Sequence, residues 1–208
     1  MEKKPAKSFL AIITILGWFA LAAQFYLIIV NRTASIPETI VRYFSFYTIL
    51  TNILIAYCAT SLWLKQEFLL SNFLAKQTVL AALTLYIVIV GLVYNLILRK
   101  TWNPQGLQLL VDELLHTVIP IVFLFFWLLF VQKNELKWKN ILSWLIYPLI
   151  YIILILGRGK ISRFYPYPFI DVNKLGFSKV ILNCGTLIIV FLVFSLLIVG
   201  VGKLMRKP

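Results

Sequence analysis

Apolar residues run along the chain in six long blocks separated by short polar stretches. The blocks fall at residues 8–30, 44–64, 78–98, 114–131, 141–156 and 180–201. A helix needs ~20 mostly apolar residues to cross the hydrocarbon core of a bilayer. The pattern therefore predicts an all-α polytopic membrane protein: a single domain over residues 1–208, built as a bundle of six transmembrane helices with both termini on the same side. The fifth block is short, so it crosses with little tilt or is extended by Trp138 or Arg158 at its ends. A lesser apolar stretch at 68–75 reads as an interfacial turn. The first block follows Lys3, Lys4 and Lys7, as a signal peptide would. It is too long for one and lacks a small-residue cleavage site, so it reads as a retained helix. No internal repeat is evident.

Composition agrees with the pattern. The 208 residues are 62% hydrophobic and 13% charged, against about 45–50% and 25% in soluble domains. The net charge of +13 sits in short loops and at the termini, where lysine and arginine meet lipid headgroups. No basic and aromatic patch lies outside the apolar blocks, which argues against nucleic acid as a partner. Eleven of the basic residues fall on the side of the termini and nine on the other. By the positive-inside rule this slight excess makes the termini cytoplasmic. Cys58 and Cys184 lie inside apolar blocks without a C-x-x-C neighbour, and the chain has one histidine. That excludes the usual Cys/His metal sites, and no cofactor is expected.

Polar residues inside a membrane are costly, so their positions carry the functional signal. Ser45, Thr48 and Asn52 are spaced to share one face of the second helix. Asp112 and His116 stand four apart at the opening of the fourth. Asn95 lies near the end of the third helix, and Asn183 near the start of the sixth. Six alternating crossings bring all seven to one end, opposite the termini. The expected picture is a polar funnel reaching toward the bilayer midplane.

Such a cluster permits nucleophilic attack by a hydroxyl. Ser45 or Thr48 needs a base, and His116 is the histidine available. Asp112 would orient the ring, and Asn52, Asn95 or Asn183 would donate to an oxyanion. Serine, threonine and asparagine also stitch membrane helices together without any chemistry. Pro120 removes a backbone hydrogen bond near His116, and a kink there would open space beside the ring. The stretch Arg163 to Val172 alternates aromatic residues with proline. It reads either as an interfacial belt or as a lid and rim formed by Tyr165, Tyr167, Pro168, Phe169 and Asp171. Asp171 is expected to pair with Arg163 or Arg158, or to reach His116.

Phe44-Ser45-Phe46, the run Leu115-His116-Thr117-Val118-Ile119-Pro120, and Tyr167-Pro168-Phe169-Ile170-Asp171, set among six helices, resemble the androgen-induced protein / androgen-dependent TFPI-regulating protein family, including its bacterial branch. The resemblance covers nearly the whole chain, and the Tyr-Pro-Phe motif is its most specific part. It implies intramembrane hydrolysis of fatty acid esters of hydroxy fatty acids by a threonine and a histidine. The histidine falls on His116 and the threonine on Ser45, with Thr48 one turn deeper as the alternative. The expected partners are membrane lipids and a lipid ester substrate in a bacterial cell membrane; no motif speaks to oligomeric state. The competing expectations are a lipid or small-molecule binding or transport protein using the same funnel, and an assembly factor without a ligand.

Overall fold

The computed structural model describes residues 4–66 and 69–205. Among them all regular structure is helical. Six helical segments among the described residues are long and apolar enough to cross a membrane: Lys4–Val30, Tyr47–Leu64, Gln77–Thr101, Gly106–Phe130, Asn140–Ser162 and Phe177–Leu204. The protein is thus an integral, multi-pass, all-α membrane protein, and an even number of crossings returns the chain to its starting side. The chain divides into two units, Met1–Glu135 and Leu136–Pro208.

In the first unit, α1 (Lys4–Val30) packs along α3 (Tyr47–Leu64). Gly17 makes this possible, since a Cβ there would stand 3.0 Å from the Cβ of Ala56. Small residues let membrane helices approach closely, where packing rather than water drives association. Trp18 donates across the same seam to Thr60 Oγ1 at 3.0 Å. The helix α5 (Gln77–Leu96) forms the centre of the unit, buried along most of its length from Leu80 to Gly91. Outward side chains such as Ile15 and Leu129 stay about 60% exposed, as lipid-facing residues should.

Two segments depart from the expected second and fourth helices. The expected helix over 44–64 begins only at Tyr47. Ahead of it lies a separate helix α2 (Ile36–Tyr43), with Pro37 in its first turn and a Glu38–Arg42 ion pair at 2.9 Å. Residues 44–46 make the turn between α2 and α3, although no glycine or proline marks it. Tertiary anchoring accounts for the break: Tyr43 is buried, donates to the Leu21 carbonyl at 2.8 Å, and packs edge-on against Phe25.

The expected helix over 114–131 starts earlier, as α6 (Gly106–Glu113), and continues to α7 (Ile119–Phe130) through a π-turn at Leu114–Val118. The short stretch expected as an interfacial turn holds α4 (Ser71–Leu74); residues 67 and 68 lie outside the described residues.

In the second unit, α8 (Asn140–Trp144) leads into α9 (Ile146–Ser162). The fifth crossing is therefore longer than its apolar block suggested, because Gly157 to Ser162 continue the helix. Val172–Leu175 forms α10, and Gly176, at φ 76°, turns the chain into α11 (Phe177–Leu204). A positive φ of this kind favours glycine.

Candidate functional site

The site begins with Pro120. Proline has no N–H, and the π-turn pairs the Ile119 N–H with the Leu114 carbonyl. The Leu115 carbonyl then has neither an α-type nor a π-type donor, since those would be Ile119 and Pro120. The His116 carbonyl loses its α-type donor as well. Unpaired carbonyls in a membrane interior are expensive. Two asparagines from neighbouring helices meet the need. Asn52 Nδ2, on α3, donates to the Leu115 carbonyl at 3.3 Å and to the Thr48 carbonyl at 2.9 Å. Asn95 Nδ2, on α5, donates to the carbonyls of His116 at 3.2 Å and Gly91 at 2.9 Å.

Asn95 also exchanges contacts with Thr117 Oγ1 at 3.3 and 3.4 Å. Gly91 lets α5 come this close: a Cβ there would sit 3.1 Å from the His116 carbonyl and 3.2 Å from Pro120 Cβ.

This corrects the expected role of both residues. An amide NH2 has two hydrogens; those of Asn52 serve the Thr48 and Leu115 carbonyls, and those of Asn95 are shared among the Gly91 and His116 carbonyls and Thr117 Oγ1. Neither keeps one for an oxyanion. Asn52 is 1% exposed, and its Oδ1 is a buried acceptor with no hydrogen-bond partner among the described residues.

The π-turn also sets His116. Its Nδ1 lies 2.9 Å from the Asp112 main-chain carbonyl and 3.9 Å from Asp112 Oδ1. The ring is therefore oriented by the backbone of Asp112 rather than by the expected carboxylate. A carbonyl only accepts, so Nδ1 carries the proton in the neutral ring and Nε2 keeps a free lone pair. Tyr94 stacks on the imidazole, with ring centres 4.0 Å apart and planes at 16°. Its hydroxyl donates to Asp112 Oδ2 at 3.1 Å. Gln108 Nε2 reaches Asp112 Oδ1 at 3.5 Å and Gln24 Oε1, on α1, at 2.9 Å. Arg99 pairs with Glu113 and lies 5.8 Å from the Tyr94 ring centre.

Asp112 and His116 thus come together with Asn95 as expected, and Tyr94, Gln108, Gln24 and Thr117 join them unforeseen. Gln24, inside the first apolar block at the same end as His116, was a usable signal, whereas Gln108 lies ahead of the fourth block and reads as loop. Tyr94 reads in sequence as an interfacial aromatic and gave none.

Ser45 does not share a helical face with Thr48 and Asn52, because it lies in the turn before α3. Its hydroxyl donates to the Val41 carbonyl at 2.7 Å, and the residue is buried. Thr48, also buried, stands on α3 one turn before Asn52.

The remaining expected residues belong to the second unit. Asn183 Nδ2 donates to the Phe169 carbonyl at 2.8 Å, so it anchors the aromatic loop to α11. Tyr167 and Phe169 stack at 5.3 Å, and Pro168–Ile170 forms a 3-10 turn. Tyr165 fills the space beside Gly159, which a Cβ would close. Asp171 does not pair as expected. Its Oδ1 accepts from the Asn173 N–H at 3.0 Å, capping α10, and its Oδ2 lies 3.8 Å from Lys174.

Fold and site define a multi-pass α-helical membrane protein with a buried polar centre around one histidine. No protein-family model, curated protein or solved structure matches the chain.

Proposed function

We propose that the protein is an intramembrane hydrolase of lipid esters, acting on fatty acid esters of hydroxy fatty acids or related acyl esters, as its resemblance to the androgen-induced protein family implies. The observation that carries this reading is the hydrogen bond from His116 Nδ1 to the Asp112 carbonyl, which leaves Nε2 as a base inside an apolar helix. A base so held suits the activation of a hydroxyl. Thr48 is favoured over Ser45 as the nucleophile. It stands on α3, the helix whose Asn52 reaches the carbonyl of Leu115, the residue before His116, whereas Ser45 lies in the turn ahead of that helix.

In this mechanism Nε2 takes the Thr48 proton as Oγ1 attacks the ester carbonyl. The tetrahedral intermediate then collapses, and the imidazolium returns the proton to the departing alkoxide. Water, deprotonated by the same nitrogen, attacks the resulting acyl-threonine. A free fatty acid leaves and the threonine is regenerated. Substrate enters sideways from the surrounding lipid. The proposed setting is a bacterial cell membrane, as the resemblance implies, with cytoplasmic termini by the slight excess of basic residues on their side.

The test is labelling of the purified protein by a fluorophosphonate probe. His116→Ala and Thr48→Ala are each expected to abolish labelling, with Ser45→Ala retaining it. Labelling that survives His116→Ala rejects the histidine-activated mechanism, and loss in Ser45→Ala alone transfers the nucleophile to Ser45.

A second reading, binding of a lipid or small molecule without turnover, is favoured by a different observation. The Asn52 and Asn95 amides donate to backbone carbonyls of a neighbouring helix, which is the signature of helix stitching. Ligand binding by a protein that no ester or probe acylates would support it.

A further inference from the structure

The opposite end of the first unit holds a cavity of about 700 Å³. It forms where α1 and α5 begin and α3 and α7 end. Its basic lining residues are Lys4, Lys7 and Lys65, and no acidic side chain is among the described residues that line it. Lys4 and Lys7 lie three apart on the first turns of α1, hence on one face. Lys65 follows α3 in a left-handed conformation, φ 54°. The wall is mostly apolar, with Phe126 and Phe130 of α7 and Trp63, and Gln77 and Gln132 add amide groups to it. The site therefore grades from cationic rim to hydrocarbon wall.

The local backbone adds to this polarity. The start of α5 presents backbone N–H groups and the positive end of its dipole. The negative end of α7 is cancelled by Lys133, whose Nζ donates to the carbonyls of Trp127, Leu128 and Val131 at 2.9, 3.0 and 2.7 Å. The volume lies in the ~300–1,000 Å³ range of small-molecule sites, and helix ends in a membrane protein lie at headgroup depth.

We propose that this cavity binds an anionic phospholipid, its phosphodiester held by Lys4, Lys7 and Lys65 and an acyl chain laid against Phe126 and Phe130. The apolar wall argues against a soluble anion. The ammonium groups of Lys4 and Lys7 alone carry three donors each, more in total than the two oxygens of a fatty carboxylate can accept. A phosphodiester with its neighbouring ester carbonyls offers more acceptors. The site is separate from His116 and does not depend on the hydrolase reading.

The experiment titrates the purified, detergent-solubilised full chain with short-chain phosphatidylglycerol, the matching phosphatidylcholine, or oleate, and follows Tm. Phosphatidylglycerol is expected to raise Tm well above the effect of the other two. Replacing the three lysines together by glutamine should weaken that response about tenfold or more. The triple arginine variant should keep it, and so should Lys100→Gln, beyond the far end of α5. Equal responses to phosphatidylglycerol and phosphatidylcholine overturn the proposal. So do an equal response to oleate, an unchanged affinity in the glutamine variant, and a loss in the arginine variant.

Discussion

Tyr43 shows what one buried hydroxyl does at the residue scale. It lies on α2, outside the spanning segments, and burial pushes its phenol from the ordinary 10.0 up to about 12. The folded state keeps this proton more tightly than the unfolded state does. Its contribution is therefore fully present below pH 10 and lost as pH climbs from 10 toward 12. Tyr43→Phe loses the hydrogen bond to Leu21 and is expected to be less stable by about 1 kcal/mol at neutral pH. The Tm gap between wild type and variant should narrow between pH 8 and pH 11. A gap that widens would show that the phenol is not held neutral by the fold. The sequence offered no hint of this anchor, because a tyrosine between a basic residue and two phenylalanines reads as interfacial belt. The histidine, by contrast, was legible, since a lone imidazole in an apolar block has few bland explanations.

At the scale of elements, the polar chemistry follows from how one helix is built. Pro120 and the π-turn leave carbonyls that only side chains from α3 and α5 can pair. The residues that do so, Asn52 and Asn95, were visible in sequence as intramembrane amides. Their task was not, because an asparagine serving a carbonyl and one awaiting a substrate look alike in a sequence. Only the acceptor's identity separates them.

A double-mutant cycle tests the structural role. Asn52→Ala should cost about 1–3 kcal/mol in the wild-type background, the penalty for an unpaired buried acceptor. In Pro120→Ala the restored N–H can serve that segment, so the same substitution should cost clearly less. Additive losses would mean that the asparagine and the proline act independently. The break at 44–46 was illegible for a different reason. Its local sequence is apolar and helix-compatible, and long-range contacts of Tyr43 end the helix.

Across the whole molecule the coarse architecture was the most legible level. Hydropathy alone gave six crossings, and the structure has six, with boundaries moved by up to eight residues where polar residues such as Gln108 sit within a spanning helix. Helix ends are set by capping and by turn geometry, which block-counting does not sense. An even count makes a direct prediction. Epitope tags at the two termini should be digested by protease from the same face of sealed vesicles, and protection of one tag alone would require an odd number of crossings.

The π-turn has one further consequence, best put in terms of descent. Relative to an uninterrupted α-helix it accommodates one additional residue. A chain lacking a single residue within 114–118 would still be long enough to cross the bilayer, and its apolar exterior would be preserved. Its upstream half would nevertheless be rotated by roughly 100° about the axis, carrying Asp112 away from Tyr94. A one-residue gap at this point in related chains would therefore mark lineages that keep the architecture and have given up the polar centre.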